Sequence, residues 1–189
     1  YPEASAQYDV VKNGVNTDLF CKELSEEERL NLRIRMGFSS DDFVIIFAGR
    51  LSAEKGILQL ARAFVNLDVP GKKLLIAGGA FFTVKIKSPV QNELTEILAP
   101  CMKNVFFTGF VKYDEIWKYY KAADTAVLPS IWDEPALLTN IEAQLCGLPV
   151  ISTLSGGIPE YANPDAAILL PVDSHLEENL TAKIAGLYE

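Results

Sequence analysis

The chain has 189 residues, 49% of them apolar, with 17 Lys and Arg against 25 Asp and Glu and a net charge of −8. At roughly 150 residues per domain this is one domain, long enough to bury roughly 70% of its unfolded surface. The negative charge argues against a non-specific nucleic-acid binder, 22% charged residues is too few for disorder, and no apolar run approaches the ~18 residues of a membrane span.

In chain order, the sequence opens at Tyr1 rather than Met with no charged-then-apolar leader, which reads as a processed start or a piece of a longer protein. Ser25 and Glu28 form a capping box ahead of an acidic first turn, and Gly37 ends that helix. The apolar run Phe43–Ala48 follows, then a helical stripe of Ile57, Leu60, Ala61 and Phe64. After the run Leu74–Ala77, Ser88, Pro89 and Gln91 cap another helix, with Val90, Leu94, Ile97 and Leu98 as its stripe. The run Val105–Thr108 leads to a helix marked by Ile116, Trp117 and Tyr120, and then come Thr125–Leu128, Pro149–Ser152 and Ala166–Leu170. These runs are continuous rather than alternating, as strands covered on both faces should be. Strand–helix–strand alternation with right-handed crossovers predicts an α/β fold, a Rossmann-like doubly wound parallel sheet. Ligands in such sheets bind beyond the carboxyl ends of the strands, so the loops after the strands are where chemistry is expected.

Cys21, Cys101 and Cys146, odd in number and widely spaced among apolar neighbours, read as buried thiols of a reduced cytoplasmic protein. His175 stands alone, so neither a zinc set nor a Ser/His/Asp order is expected.

Three loops carry the candidate chemistry. After the Phe43 run, Gly49-Arg50-Leu51-Ser52-Ala53-Glu54-Lys55-Gly56 places two cations beside a helix start. A planar guanidinium and a mobile ammonium there suit a diphosphate, while the plainer reading is a solvated loop with an Arg50–Glu54 ion pair. After the Thr125 run, Glu134 and Glu142 lie eight residues apart. On one continuous helix they would stand roughly 80° apart in azimuth and about 12 Å in rise, too far to share a proton but fit for two parts of an extended ligand. Pro135 suits a first helical turn, and Glu142 lies between apolar neighbours in a helix expected to be largely buried. After the Pro149 run, Ser155-Gly156-Gly157-Ile158-Pro159-Glu160 permits either a close approach to a ligand or a simple turn.

Together with Asn13-Gly14-Val15-Asn16, Gly78-Gly79 and Gly147-Leu148-Pro149-Val150, these segments occur in the order seen in family-4-type, group 1 retaining glycosyltransferases. From about Val10 onward the chain resembles the C-terminal, donor-binding half of their GT-B fold, with the N-terminal acceptor half absent. The resemblance implies that Arg50 and Lys55 neutralise a donor diphosphate, Glu142 accepts from ribose hydroxyls and Glu134 lies beside the transferred sugar. It also places Leu137, Leu138 and Thr139 near the sugar–phosphate, and the loop Phe110–Asp114 beside the base. One departure is Leu137, where many relatives have Gly.

The implied function is retaining transfer from a nucleotide-diphosphate sugar to an acceptor in polysaccharide or glycoconjugate synthesis. Arg50, Lys55 and Glu134 are then the catalytic set, with no cofactor, no metal and a UDP-linked donor by default. Expected partners are the nucleotide sugar and the absent N-terminal domain, with no nucleic acid. The whole enzyme is expected in the cytoplasm, with peripheral association at the inner membrane face open to it. Two alternatives stay open: another GT-B enzyme such as a nucleotide-sugar epimerase, and a non-catalytic nucleotide-sugar-binding module.

Overall fold

The computed structural model describes Asp9, residues 11–79 and residues 88–188. Tyr1 and Val10, where the chain opens and the resemblance begins, lie outside the described residues.

Six strands form one sheet: β1 (Phe43–Ala48), β2 (Lys72–Ala77), β3 (Val105–Gly109), β4 (Thr125–Leu128), β5 (Val150–Thr153) and β6 (Ala167–Leu170). Every neighbouring pair is parallel, and the order across the sheet is β3-β2-β1-β4-β5-β6. The helices between and around them are α1 (Thr17–Phe20), α2 (Glu26–Arg35), α3 (Ile57–Asn66), α4 (Pro89–Leu98), α5 (Ile116–Ala122), α6 (Leu138–Leu145) and α7 (Leu176–Tyr188). This is the doubly wound parallel sheet expected from the apolar runs.

The runs are unbroken because each strand feeds two cores. Phe43, Ile45 and Phe47 of β1 pack with Leu60 and Phe64 of α3, Leu94 of α4 and Ile184 of α7. The alternate residues Val44, Ile46 and Ala48 pack on the other face with Phe20 of α1, Tyr120 of α5 and Ala143 of α6. Burying one such side chain contributes about 1.5–3 kcal/mol, so the whole sheet is held from both faces.

Strand ends shift by a residue or two from the apolar runs, for identifiable reasons. β5 starts at Val150 because Pro149 has no N–H for the ladder, although its carbonyl accepts from Ala126 N at 3.0 Å. β2 begins two residues early, at Lys72, whose ammonium reaches back to the carbonyls of Phe64, Val65 and Leu67 at the end of α3. Charge hid that start from the apolar pattern.

Both expected capping boxes are present, Ser25 with Glu28 on α2 and Ser88 with Gln91 on α4. Farther along α2, Arg33 is wholly buried at the amino end of the sheet. Its guanidinium donates to the carbonyls of Ala122, Ser40 and Asp42 and to both carboxylate oxygens of Asp124 at 2.7 and 2.8 Å. Asp124 in turn accepts from Arg29 at 2.7 Å and from Val44 N at 2.7 Å. The cluster ties α2 to the starts of β1 and β4.

One expectation about the cysteines needs correction. Cys21 is exposed, because it ends the short α1 at a surface corner; Cys101 is half-buried and Cys146 buried, and all three thiols are free. Burial pushes the Cys146 thiol up to about 12. No helix among the described residues is long and apolar enough to cross a membrane.

Candidate functional site

The sheet order reverses between β1 and β4: from β1 the chain winds outward through β2 and β3, and from β4 through β5 and β6. The crevice above that reversal is where a doubly wound sheet accepts ligands. Both charged loops singled out in the sequence leave these two strands, so they meet at its mouth.

Close backbone approach brings the loops together. Gly56 has φ +71°, and a Cβ there would stand 1.8 Å from the carbonyl oxygen of Pro129. Next to that contact, Ile131 N and Ser130 Oγ both donate to the Glu54 carbonyl, at 2.9 and 3.0 Å. On the far side, Gly156 has φ +53°, and a Cβ would come within 2.5 Å of Glu134 N and O. Gly157 N donates to Glu134 O at 2.6 Å, and Ser155 Oγ to Trp132 O at 2.6 Å. The paired glycines thus let the chain approach its own neighbouring loop.

That packing overturns the continuous helix considered for Glu134 and Glu142. The segment from Pro129 to Leu137 runs as a loop stapled on both sides, and α6 begins only at Leu138. The expected 80° and 12 Å therefore do not apply, and Pro135 lies in the loop rather than in a helical turn. Leu137, the residue before α6, turns its side chain into the core, 6% exposed. Leu138 is exposed at the first turn.

Glu134 is 6% exposed and doubly held. Lys55 Nζ approaches Oε1 at 2.5 Å, and Ser130 Oγ donates to the same oxygen at 2.6 Å. The burial reflects the loop contacts above, and the ion pair with Lys55 makes it tolerable. Arg50 instead keeps its exposed i,i+4 partner, Glu54, at 2.9 Å. An exposed pair of this kind is weak, on the order of 1 kcal/mol or less, and leaves the guanidinium mobile.

Beside these loops opens a cleft of about 580 Å³. Its floor is made by the ends of β1 and β2, Ala48-Gly49 and Ala77-Gly78-Gly79; Arg50 and Thr139 flank it, and Phe110, Val111 and Tyr113 form the outer wall. Glu142 and Tyr120 sit at the bottom. Glu142 is 6% exposed and accepts from the Tyr120 hydroxyl at 3.1 Å through Oε2. Burial raises the Glu142 pKa, an effect that the Tyr120 hydrogen bond opposes. Thr139, on the lining, has its Oγ1 buried without a hydrogen-bond partner among the described residues.

Of the residues singled out from sequence, Arg50, Thr139 and Glu142 therefore line one cleft, while buried Glu134 pairs with half-buried Lys55 at the adjoining loops. Tyr120 and Ser130 were missed as site residues. Tyr120 read only as part of an apolar stripe, yet a buried Tyr needs a partner for its hydroxyl and a buried Glu needs a donor, a complementarity that sequence separation concealed. Among the described residues no three His, Cys, Asp or Glu side chains are grouped to hold a metal ion.

A family model described as "Glycosyl transferases group 1" matches residues 28–189. The chain belongs to this family. It is 38% identical over 154 residues to an uncharacterized glycosyltransferase of Methanocaldococcus jannaschii, covering 80% of this chain and 37% of that protein. It is 29% identical over 161 residues to the lipopolysaccharide 1,2-N-acetylglucosaminetransferase of Salmonella typhimurium, covering 83% of this chain and 41% of the relative. Among solved structures, Anabaena HepE in complex with UDP and glucose superposes with a TM-score of 0.78 at 27% identity, over 96% of this chain and 47% of HepE. The chain thus spans less than half the length of each of these three proteins. Its architecture is that of the C-terminal domain of a group 1, GT-B glycosyltransferase. The two sequence relatives are transferases by name, which favours that reading over an epimerase.

Proposed function

We propose that this domain binds a nucleotide-diphosphate sugar, UDP-linked by default, and that the protein it serves transfers the sugar to an acceptor with retained configuration. The observation that carries the reading is the cleft at the sheet reversal, with a buried carboxylate on its floor and Arg50 at its flank. That HepE is described in complex with UDP and glucose supports the choice of ligand class. The outer wall of Phe110, Val111 and Tyr113 takes the base, and Glu142 accepts from the ribose hydroxyls. The diphosphate lies toward Arg50, Lys55 and the first turn of α6 near Leu138 and Thr139.

Transfer breaks the bond from the anomeric carbon to the diphosphate oxygen, and negative charge develops on the leaving group. Arg50, released from its exposed pair with Glu54, and Lys55, which keeps donors beyond the one given to Glu134, stabilise that charge without reorganising the fold. Glu134, pinned by Lys55 and Ser130 through one oxygen, orients the sugar with the other. This arrangement needs no divalent metal and no cofactor. Acceptor contacts belong to an N-terminal domain closing over the cleft, so the 189-residue chain alone binds donor and does not transfer. The whole enzyme acts in the cytoplasm, with peripheral association at the inner membrane face open to it.

Calorimetric titration of UDP, GDP and ADP and their glucose conjugates, with and without EDTA, tests the reading. The expected result is saturable binding in the high micromolar to millimolar range, about −4 to −6 kcal/mol, unchanged by chelation. Absence of binding by all six ligands overturns the site, and a large loss on chelation overturns the metal-free arrangement.

A further inference from the structure

Beneath the cleft lies an edge-to-face aromatic cluster that links three separate segments. Phe20, the last residue of α1 and wholly buried, meets Tyr113 edge-on with ring centroids 5.5 Å apart, and Tyr120 likewise at 6.3 Å. Tyr113 belongs to the cleft wall and Tyr120 to its bottom. Asn16 starts α1, its side chain accepting from Leu19 N at 3.3 Å. The segment ending at Asn16, which no cleft contact explains, thereby sets Phe20 between the two tyrosines.

We propose that Tyr120 is a positioning residue for ribose recognition: by occupying Oε2 of Glu142, its hydroxyl leaves Oε1 as the acceptor offered to the ribose hydroxyls. The inference rests on the reading of the cleft as a nucleotide site. A vicinal diol is held by a carboxylate that accepts, and a buried acid lacking a donor takes up a proton and loses accepting capacity. Tyr120 counters that tendency with one hydrogen bond at 3.1 Å. Burial first, and then the charge of Glu142, drive the tyrosine's own pKa well above 10, so it remains a donor throughout the working range. The edge-to-face contact of Phe20 holds the ring, and with it the direction of the hydroxyl. Among the described residues, Cys146 just past the end of the same helix also lies near Glu142, its thiol at about 12 and neutral, and Arg50 and Tyr113 share the cleft lining.

Tyr120→Phe removes one hydroxyl and keeps the ring. Affinities for UDP and 2′-deoxy-UDP (or the GDP pair, should GDP bind better) are measured by calorimetry across pH. Loss of the positioning bond is expected to weaken UDP roughly three- to tenfold and 2′-deoxy-UDP less, so the preference for ribose shrinks. The acid-side midpoint of UDP binding is expected to move up, because the bond that lowered the Glu142 pKa is gone. Equal losses for both ligands with an unmoved midpoint overturn the proposal as a merely structural effect. If Tyr120→Phe does not fold, Tyr120→3-fluorotyrosine keeps the shape and strengthens the donor; its midpoint is expected to move down, and an unmoved one overturns the proposal. Loss of UDP binding in Glu142→Ala but not in folded Tyr120→Phe overturns the role of Tyr120 while sparing the nucleotide site. A wild-type domain that binds no nucleoside diphosphate brings down the site and the inference together.

Discussion

Strand β4 has an acid–base cluster at each end, and the two are built differently. At its amino end Arg33 and Asp124 satisfy one another and their neighbours: the guanidinium makes five hydrogen bonds to carbonyls and carboxylate oxygens, and Asp124 takes two further donors. At its carboxyl end Lys55 and Ser130 both fall on Oε1 of Glu134, and among the described residues Arg50 pairs with exposed Glu54 and Thr139 Oγ1 has no partner. A closed network contributes to folding; one with spare donors and acceptors beside a cleft is prepared for a ligand. Similar residue types are thus arranged in opposite ways at the two ends of one strand.

Disrupting the amino-end cluster gives the largest expected effect. Arg33→Ala removes the donor of three backbone carbonyls and leaves Asp124 with Arg29 and Val44 N; breaking a pair with one fully buried partner costs up to about 3–5 kcal/mol. Chemical denaturation is expected to show that loss, while nucleotide affinity, measured where the variant is still folded, stays at the wild-type value. A large affinity loss in folded Arg33→Ala contradicts the division of labour between the two ends.

The combined substitution Arg50→Ala with Lys55→Ala probes the other end. Nucleoside diphosphate affinity is expected to fall about a hundredfold, since two charge-assisted contacts go, while the native circular dichroism spectrum is retained. Retained affinity removes both cations from the diphosphate site.

A subtler contrast separates the two glutamates. Glu142→Ala is expected to weaken UDP and UDP-glucose alike, by about ten- to a hundredfold for a lost charged hydrogen bond. Glu134→Ala is expected to weaken only the sugar nucleotide by that factor and to spare UDP. Identical profiles for the two variants rule out distinct ribose and sugar roles.

The smallest expected effect concerns pH. Burial holds the Glu142 pKa above its ordinary 4.5, so folding favours its protonated form. That contribution to stability is complete below the unfolded pKa and is lost as pH rises through the folded one. Glu142→Gln is therefore expected to raise Tm, and to raise it more near pH 8 (about) than near pH 5 (about), at the expense of nucleotide binding. A gain that is larger on the acid side contradicts the burial assignment.

Much of this molecule was legible in the chain itself. Six apolar runs, two capping boxes and the stripe of α3 follow from hydrogen-bonding groups and periodicities that act within a few residues, and these determined the alternation of strands and helices. Resemblance carried by the loop motifs also placed Arg50 and Glu142, and both line the cleft. What the sequence left undecided depended on contacts between distant segments. Whether Glu134 belonged to the helix of Glu142 was settled by Gly156 and Gly157 packing against the Glu134 backbone, across more than one intervening element. The Tyr120–Glu142 bond spans 22 positions and the Lys55–Glu134 pair 79. Local propensities cannot see such partners: burial removes water from both groups at once, and only the folded sheet decides which buried donor stands within reach of which buried acceptor.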